Sequence, residues 1–360
     1  MFMKRLHKIL PALLCAFFLT TACDDDDSQI IVIKDAPSAV FVNQGSMGYL
    51  PGSLDLLSLT DGTYTAGVCE VEGTPENAVE CGGYIFIPQF EQNAVAVFDK
   101  SSLRRAATIA VPSPQSVCTN GGNVFAIGGD SIFRINVSAL TVEKKDTVGH
   151  TAFASVCAGG AVYVAIGRGM GQYDGGNLVA KVNPLTLERE YIEVGVNPYN
   201  QMVADDNGNV FVVCTGNYYD IPSAVYKVSA DGMASNISPG TYIDVMGGTL
   251  YVIERTSQYD DWWNETSTCM FKAYDAGTGV LQSNDFLTAS ERPAAATFVK
   301  VNPDGGDIYI GANGITEGGF VSYTTAGFVY RYTSSGTFVA KYDAGVNPYA
   351  CLFVTRRVAE

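Results

Sequence analysis

Histidine is scarce in this chain: there are two in 360 residues, and His150 is the one beyond the N-terminal segment. One imidazole cannot build a multi-histidine metal site, and the sequence contains no zinc motif, nucleophile elbow or phosphate-binding loop. We therefore predict a protein that is not an enzyme, with no catalytic residues, no metal site and no cofactor. His150 is a candidate ligand contact, beside the plainer interpretation of an ordinary loop residue.

Positive charge is scarce as well. Lys and Arg number 22 against 37 Asp and Glu, which gives a formal net charge of −15. Removing an N-terminal signal that contains Lys4, Arg5 and Lys8 would take away three positive charges and leave −18. A chain this acidic repels nucleic-acid phosphates and anionic lipid headgroups. Nucleic acid is therefore not an expected partner. Any attachment to a membrane is expected to occur only through a lipid anchor at the N-terminus, described below.

The sequence has no Cys-x-x-Cys pair. Of its nine cysteines, Cys15 and Cys23 lie in the N-terminal segment and seven remain, an odd number without metal-ligand spacing. Cys118 and Cys157 occupy the same place in two Ser-Val-Cys triplets. We interpret them as small apolar core residues. Whether any disulfide forms is left open by the sequence.

What the chain has in abundance is one hairpin pattern. A Gly-Gly or Asn-Gly turn is followed by one residue, an aliphatic or β-branched residue and then an aromatic one, and such turns suit tight hairpins. The six aromatic residues are Phe86, Phe125, Tyr163, Phe211, Tyr251 and Tyr309. Their spacings of 39, 38, 48, 40 and 58 residues are close to the length of a four-stranded propeller blade. The pattern predicts a repeat protein made of β-sheets.

A second marker ends a later strand of each copy with a short polar residue, at Asp99, Asn136, Asn183, Ser229, Asp275 and Thr333. The pentapeptide Gly-Val-Asn-Pro-Tyr occurs at 195–199 and again at 345–349, where only one more strand follows. We infer that this last strand completes the first, incomplete copy. The sequence therefore predicts an all-β, seven-bladed β-propeller, closed by the C-terminal strand joining the first blade.

The N-terminus has the features of an export signal. Residues 1–22 combine a basic start with a short apolar run and small residues before Cys23, the candidate lipidation site. Four aspartates follow it. We predict a lipoprotein signal peptide at 1–22, a lipidated cysteine and acidic surface-export linker at 23–37, and the propeller at 38–360. The expected location is the outer membrane, lipid-anchored and facing the cell exterior.

Long loops mark the place where a function could reside. Between the two markers, two copies span 13 and 11 residues, but the next four span 20, 18, 24 and 24. In a propeller these loops and the connections between blades open on one face. Tyr, Trp and one His are the candidate ligand-binding residues there: His150, Tyr173, Tyr199, Tyr218, Tyr219, Tyr259, Trp262, Trp263, Tyr323 and Tyr349. The alternative is that these aromatic side chains pack the loops against one another.

The repeat resembles the YncE-like or surface-layer-like seven-bladed propellers over about residues 38 to 355. The segment Phe41-Val42-Asn43-Gln44-Gly45-Ser46-Met47-Gly48, followed by Gly52-Ser53-Leu54, resembles the start of a branch of Bacteroidota lipoproteins. That branch includes the surface cobalamin-binding propellers of the BtuG type. The resemblance implies a surface protein that captures cobalamin or a related corrinoid and passes it to a TonB-dependent outer-membrane transporter.

Two other hypotheses stay open beside nutrient capture. The first is a protein–protein interaction scaffold on the cell surface, which would use the aromatic loops to dock another envelope protein. The second is a propeller hydrolase or lyase, which would need a catalytic carboxylate cluster, with Asp260 and Glu265 as the residues to test.

Overall fold

The computed structural model describes residues 33–167 and 176–359, and these ranges form an all-β ring of seven blades. The predicted seven-bladed propeller is confirmed. No helix in the described ranges is long and apolar enough to cross a membrane.

The first four blades contain the following strands. Three strands of the first are Ile33–Asn43 (β1), Gly52–Ser58 (β2) and Tyr64–Val71 (β3). The second has Val79–Cys81 (β4), Tyr84–Gln89 (β5), a 3-10 helix at Phe90–Gln92, Ala94–Asp99 (β6) and Arg105–Ala110 (β7). The third has Pro114–Asn120 (β8), Asn123–Gly128 (β9), Ser131–Asn136 (β10) and Thr141–Thr147 (β11). The fourth has Ala152–Ala158 (β12), Ala161–Ile166 (β13), Leu178–Val182 (β14) and Arg189–Glu193 (β15).

The remaining strands complete the ring. The fifth blade has Pro198–Ala204 (β16), Val210–Cys214 (β17), Ala224–Val228 (β18) and Ala234–Pro239 (β19). The sixth has Tyr242–Met246 (β20), Thr249–Tyr259 (β21), Glu265–Asp275 (β22) and Leu281–Ser283 (β23). The seventh has Ala296–Val301 (β24), Ile308–Ala312 (β25), the small hairpin Gly314–Ile315 (β26) with Val321–Ser322 (β27), Ala326–Tyr332 (β28) and Phe338–Val346 (β29). The last strand is Pro348–Ala359 (β30).

The C-terminal strand closes the ring. The first sheet has the order β3-β2-β1-β30, so β30 is its innermost strand and packs between β24 and β4. β30 pairs antiparallel with β1 over its whole length, from Ile33 opposite Ala359 to Asn43 opposite Pro348. Residues 33–37, which the sequence assigned to the linker, therefore belong to a strand, because the end of β30 provides their pairing partner. Closure joins the two ends of the chain in one sheet, so the first blade has four strands like the others.

The hairpin markers are core residues. Phe86, Phe125, Phe211 and Tyr309 are fully buried, and Tyr163 is almost so. Four of the Gly-Gly turns are two-residue hairpins with both glycines at positive φ, for example Gly121 (57°) and Gly122 (80°). The turns at 205–209 and 302–307 are longer, and in each only one residue, Gly208 or Gly306, has positive φ, whereas Asn207 and Gly305 before them do not.

The polar markers fix the turn after the third strand of each blade. Asp99 Oδ1 accepts a hydrogen bond from the Ser102 amide at 2.8 Å, and Asp275 Oδ1 accepts one from the Thr278 amide at 2.7 Å. Such side-chain to backbone hydrogen bonds stabilise a turn in place of the strand ladder, so the strand ends at this residue. The same kind of turn therefore follows the third strand in both blades, although the markers are 37 to 58 residues apart along the chain.

Candidate ligand-binding site

One face of the ring, here called the upper face, contains both sets of variable loops. Strands within a blade are antiparallel, so the loop from the second to the third strand ends on the same face as the connection to the next blade. Residues 44–51, 215–223, 260–264 and 313–325 are the long second-to-third-strand loops that the structure describes. Residues 168–175, with the candidate Tyr173, lie outside the described residues.

The upper mouth of the central channel is a cavity of about 670 Å³. Residues from all seven innermost strands, or from the connections just before them, contribute to its wall. Its polar wall consists mainly of side-chain amides, the Glu76 carboxyl and the Lys300–Asp244 ion pair, and its apolar wall mainly of rings. The amides and rings are Gln44, Asn77, Gln115, Gln201, Asn347, Phe153, Tyr199, Tyr323 and Tyr349. A cavity of this size and mixed lining is typical of a small-molecule site.

Two tyrosines of the repeated pentapeptide lie in this wall. Asn197 and Asn347 both adopt left-handed φ values, 56° and 54°, and the proline that follows each begins an innermost strand. The backbone is thereby set so that Tyr199 and Tyr349 both line the cavity. The Tyr199 ring packs on Phe153 with 4.3 Å between centroids. Burial raises the pKa of Tyr199 to about 12 and that of Tyr349 well above its usual value, so both phenols stay protonated.

A chain of side-chain amides crosses the upper face in one direction. Asn313 Nδ2 donates to Asn347 Oδ1 at 2.9 Å, Asn347 Nδ2 to Gln44 Oε1 at 2.6 Å, and Gln44 Nε2 to Glu76 Oε2 at 3.0 Å. At its other end, Arg255 Nη1 donates to Asn313 Oδ1 at 3.0 Å. All the hydrogen bonds run in the same direction, from the Arg255 guanidinium to the Glu76 carboxyl group. In such a chain each hydrogen bond polarises its neighbours and strengthens them. The chain ties blades six, seven, one and two together around the cavity.

The guanidinium end of this chain is a buried ion pair. Arg255 Nη2 and Glu265 Oε1 are 2.6 Å apart, and both side chains are less than a tenth exposed. Ser257 donates to Glu265 Oε1 and Tyr323 to Glu265 Oε2, each at 2.6 Å. Burial alone would raise the pKa of Glu265, but these two hydroxyls and the Arg255 charge outweigh it and hold the pKa below its usual value. Glu265 is therefore ionised, and its bonds to Arg255, Ser257 and Tyr323 stabilise the hairpin of the sixth blade.

The carboxylate end of the chain behaves differently. Glu76 lies in the cavity wall, where its side chain accepts a hydrogen bond from the Gln44 amide. Among the described residues, no cationic side chain forms an ion pair with it. Removal from bulk water raises the pKa of the Glu76 carboxyl to about 8, against the smaller opposing effect of the Gln44 bond. Near neutral pH this wall of the cavity is therefore largely uncharged.

We expect Glu76→Gln to change how stability depends on pH. Because the folded-state pKa of Glu76 lies above its unfolded value of 4.5, the folded protein binds this proton more tightly, and stability falls as pH rises from about 4.5 to about 8. Glutamine can still accept the Gln44 bond and does not titrate. Urea unfolding at pH 5 and pH 8.5 measures this difference. Between the two pH values, the free energy of unfolding of the variant should rise relative to that of the wild type by on the order of 1–2 kcal/mol, after discounting for channel water. Identical pH dependence in both proteins would contradict the raised pKa.

An ion pair lies in the channel where it borders the upper cavity. Lys300 Nζ and Asp244 Oδ1 are 2.8 Å apart, and Asp244 Oδ2 accepts the Val301 amide at 2.8 Å. Burial lowers the pKa of Lys300, but the Asp244 carboxylate outweighs this and the net shift is upward. Both residues also border a second cavity of about 420 Å³ at the lower end of the channel. Within the described residues no group of three or more His, Cys, Asp or Glu side chains could hold a metal ion.

The remaining candidate aromatic residues that the structure describes lie in or beside the loops of the upper face and outside the cavity lining, a region here called the rim. Trp262 and Trp263 are each 83% exposed and Tyr219 is 89% exposed. Asp260 shapes the Trp hairpin by accepting bonds from the Trp262 and Asn264 amides at 2.9 and 2.8 Å. Tyr259 and Trp263 contact each other with ring centroids 6.2 Å apart. The hairpin tip is therefore ordered by its own bonds, and the two indoles remain exposed rather than packed between loops.

The aromatic site candidates that the structure describes thus fall into two groups. Tyr199, Tyr323 and Tyr349 line the cavity, whereas Tyr218, Tyr219, Tyr259, Trp262 and Trp263 are exposed on the rim. His150 is exposed in the connection before β12 and does not line the cavity. Sequence reasoning missed Gln44, Glu76, Gln115, Phe153 and Gln201. Most of them could have been found from their position in the repeat, because they lie in or just before the first, innermost strand of a blade.

Comparisons with known proteins support the fold and go no further. No protein-family model matches the chain, and the search of curated proteins gave no match. Among solved structures, a quinoprotein alcohol dehydrogenase-like protein of Bacteroides thetaiotaomicron is similar with 14% identity and a TM-score of 0.61, covering 88% of this chain and 78% of that one. Apo AztD of Citrobacter koseri is 11% identical with a TM-score of 0.55, covering 90% of this chain and 99% of that one. The WD40 domain of Neurospora crassa Pan2 is 8% identical with a TM-score of 0.54, covering 74% and 80%.

Proposed function

We propose that this protein is a non-enzymatic, lipid-anchored surface protein that captures a large, amide-bearing nutrient, with cobalamin or a related corrinoid as the favoured ligand. The observation that carries the proposal is the cavity of about 670 Å³ at the upper channel mouth, with its wall of glutamine, asparagine and tyrosine side chains. The propeller scaffold is compatible with surface ligand binding.

The chemistry of the wall matches the chemistry of a corrinoid. A corrinoid has a broad, partly apolar ring bordered by carboxamides, which need hydrogen-bond partners that both donate and accept. Gln115 and Gln201 supply such amides, and Tyr199 and Phe153 supply flat apolar area with few rotatable bonds. With the Glu76 pKa at about 8, the wall near it presents little charge to repel a ligand phosphate.

The rim extends the site beyond the cavity. A complete corrinoid is too large to be enclosed by this cavity, so part of it would project towards the exposed rings of the Trp hairpin. We propose that the cavity binds one side of the ligand and that Trp262 and Trp263 approach the other. A ligand left partly exposed in this way can be handed to a TonB-dependent outer-membrane transporter without first being released.

Equilibrium dialysis of the purified protein against cyanocobalamin tests the proposal. We expect saturable retention of one ligand per chain, because the ring has a single upper mouth. The Trp262→Ala/Trp263→Ala variant should retain less, since truncation of an aromatic anchor costs about 1–4 kcal/mol. Haem, a siderophore and a glycan dialysed in parallel serve as controls for other nutrient classes. No retention of any corrinoid at any concentration would remove cobalamin from the proposal.

A second candidate is an interaction scaffold, and the exposure of Trp262, Trp263 and Tyr219 favours it. Exposed Tyr and Trp are enriched in protein interfaces. Capture of one envelope protein by the wild type but not by the Trp262→Ala/Trp263→Ala variant, with no small molecule retained, would favour this function. The hydrolase hypothesis gains nothing from the geometry, since Asp260 holds a hairpin turn and Glu265 pairs with Arg255.

A further inference from the structure

Two thiols meet inside the channel, on the innermost strands of adjacent blades. Cys118 of β8 and Cys157 of β12 place their Sγ atoms 2.8 Å apart. Both line the lower cavity of about 420 Å³, and Cys157 is the less buried of the two. β8 and β12 belong to different sheets, so no ladder of backbone hydrogen bonds holds them together.

A second contact, two residues earlier on each strand, fixes the register of β8 and β12. Ser116 and Ser155 share a hydrogen bond of 2.9 Å between their hydroxyl oxygens, and the Ser155 amide donates to Ser116 Oγ at 3.0 Å. The serine pair and the cysteine pair are each separated by 39 residues, so both follow from the same repeat. The buried serine contact therefore holds the two thiols opposite each other.

From this geometry we infer that Cys118 and Cys157 form a disulfide that staples the third and fourth blades together inside the channel. A disulfide brings two sulfur atoms to about 2.05 Å, a short movement from the observed separation. Two thiolates sharing a tetrahedral metal at about 2.3 Å each would stand about 3.8 Å apart, farther than these do. Cys69 and Cys269 offer no such pair, because their thiols donate to the carbonyls of Glu70 and Ala294.

The chemistry is thiol–disulfide exchange with an external disulfide as oxidant. The Cys157 thiol loses its proton, and its sulfur attacks the external disulfide, forming a mixed disulfide and releasing one thiol. Cys118 then loses its proton and attacks the Cys157 sulfur, closing the Cys118–Cys157 bond and releasing the second thiol. The two electrons lost by the cysteine pair reduce the external disulfide to two thiols.

The test is oxidation of the purified full-length protein with cystamine, a small disulfide, followed by tryptic digestion without reduction. We expect one cross-linked species joining peptides 106–134 and 146–168, which contain Cys118 and Cys157. The thiol count after denaturation should fall by two, and the melting temperature should rise by roughly 5 °C, since the staple closes a loop of about 40 residues.

Two serine variants make the test specific. Cys157→Ser should give no cross-link and no change in melting temperature on oxidation, whereas Cys214→Ser, at another buried cysteine, should behave as the wild type does. If oxidised wild-type protein yields only linear peptides and keeps its full thiol count, the inference is overturned. Mapping of the wild type alone decides the question even if a variant does not fold.

Discussion

Replacing Arg255 with methionine is expected to lower the free energy of unfolding by about 3–5 kcal/mol. The substitution leaves the Glu265 carboxylate, only 5% exposed, without its 2.6 Å cationic partner. It also removes the donor to Asn313 that begins the amide chain across the upper face. Urea unfolding at pH 7 measures the loss.

The double variant Arg255→Met/Glu265→Leu is the matched control. With both charges gone, no unpaired carboxylate is buried, so much of the lost stability should return. A double variant no more stable than Arg255→Met would contradict the assignment of the loss to the unpaired charge. The pH dependence of the wild type gives a further check. Because the folded-state pKa of Glu265 is lowered, the ionised carboxylate adds to the free energy of unfolding above pH 4.5, and this stabilisation is lost as the pH falls below that value.

Tyr199→Ala is expected to weaken cyanocobalamin binding by about 1–4 kcal/mol, a factor of roughly 5 to 900 in Kd. Tyr199 lies in the cavity wall, is backed by Phe153 at 4.3 Å and is partly buried, which are the properties of an aromatic anchor in a preformed pocket. The truncation removes ring area that the ligand would otherwise cover. Isothermal titration calorimetry measures the change.

Tyr219→Ala is the control for Tyr199→Ala, since it removes the same side chain from a site 89% exposed on the rim. We expect it to change Kd by less than about fivefold, because a fully solvated contact contributes little. If Tyr219→Ala weakens binding as strongly as Tyr199→Ala, or more so, the cavity is not the principal site and the rim takes its place.

The fold could be predicted from local signals because every blade repeats them. Phe86, Phe125, Phe211 and Tyr309 follow glycine turns and are buried in second strands, as the pattern required. Closure by β30 was predictable because 345–349 repeats 195–199 and only one strand follows. The longer turns at 205–209 and 302–307 could not be distinguished from the short ones in the sequence. Gly208 and Gly306 have positive φ like the second glycine of a short turn, and the difference is that Asn207 and Gly305 before them do not.

The site was predictable only in part, and the reason is geometric. Tyr199 and Tyr349 could be selected because their pentapeptide repeats, and both line the cavity. Gln44, Glu76 and Asn347 come from segments up to 303 residues apart, and only closure of the ring brings them within hydrogen-bond distance. No local pattern marks a residue whose neighbours are supplied by other blades. Trp262 and Trp263 could be selected only as aromatic residues of a long loop, and they lie on the rim rather than in the cavity wall.

Amide hydrogen exchange of the purified protein, with and without saturating cyanocobalamin, tests directly whether the channel mouth binds a corrinoid. We expect slower exchange in peptides covering 44–51 and 345–350, which border the cavity, with weaker protection in the Trp hairpin at 259–265. Protection confined to 259–265, or no protection anywhere on the upper face, would contradict a corrinoid site at the channel mouth.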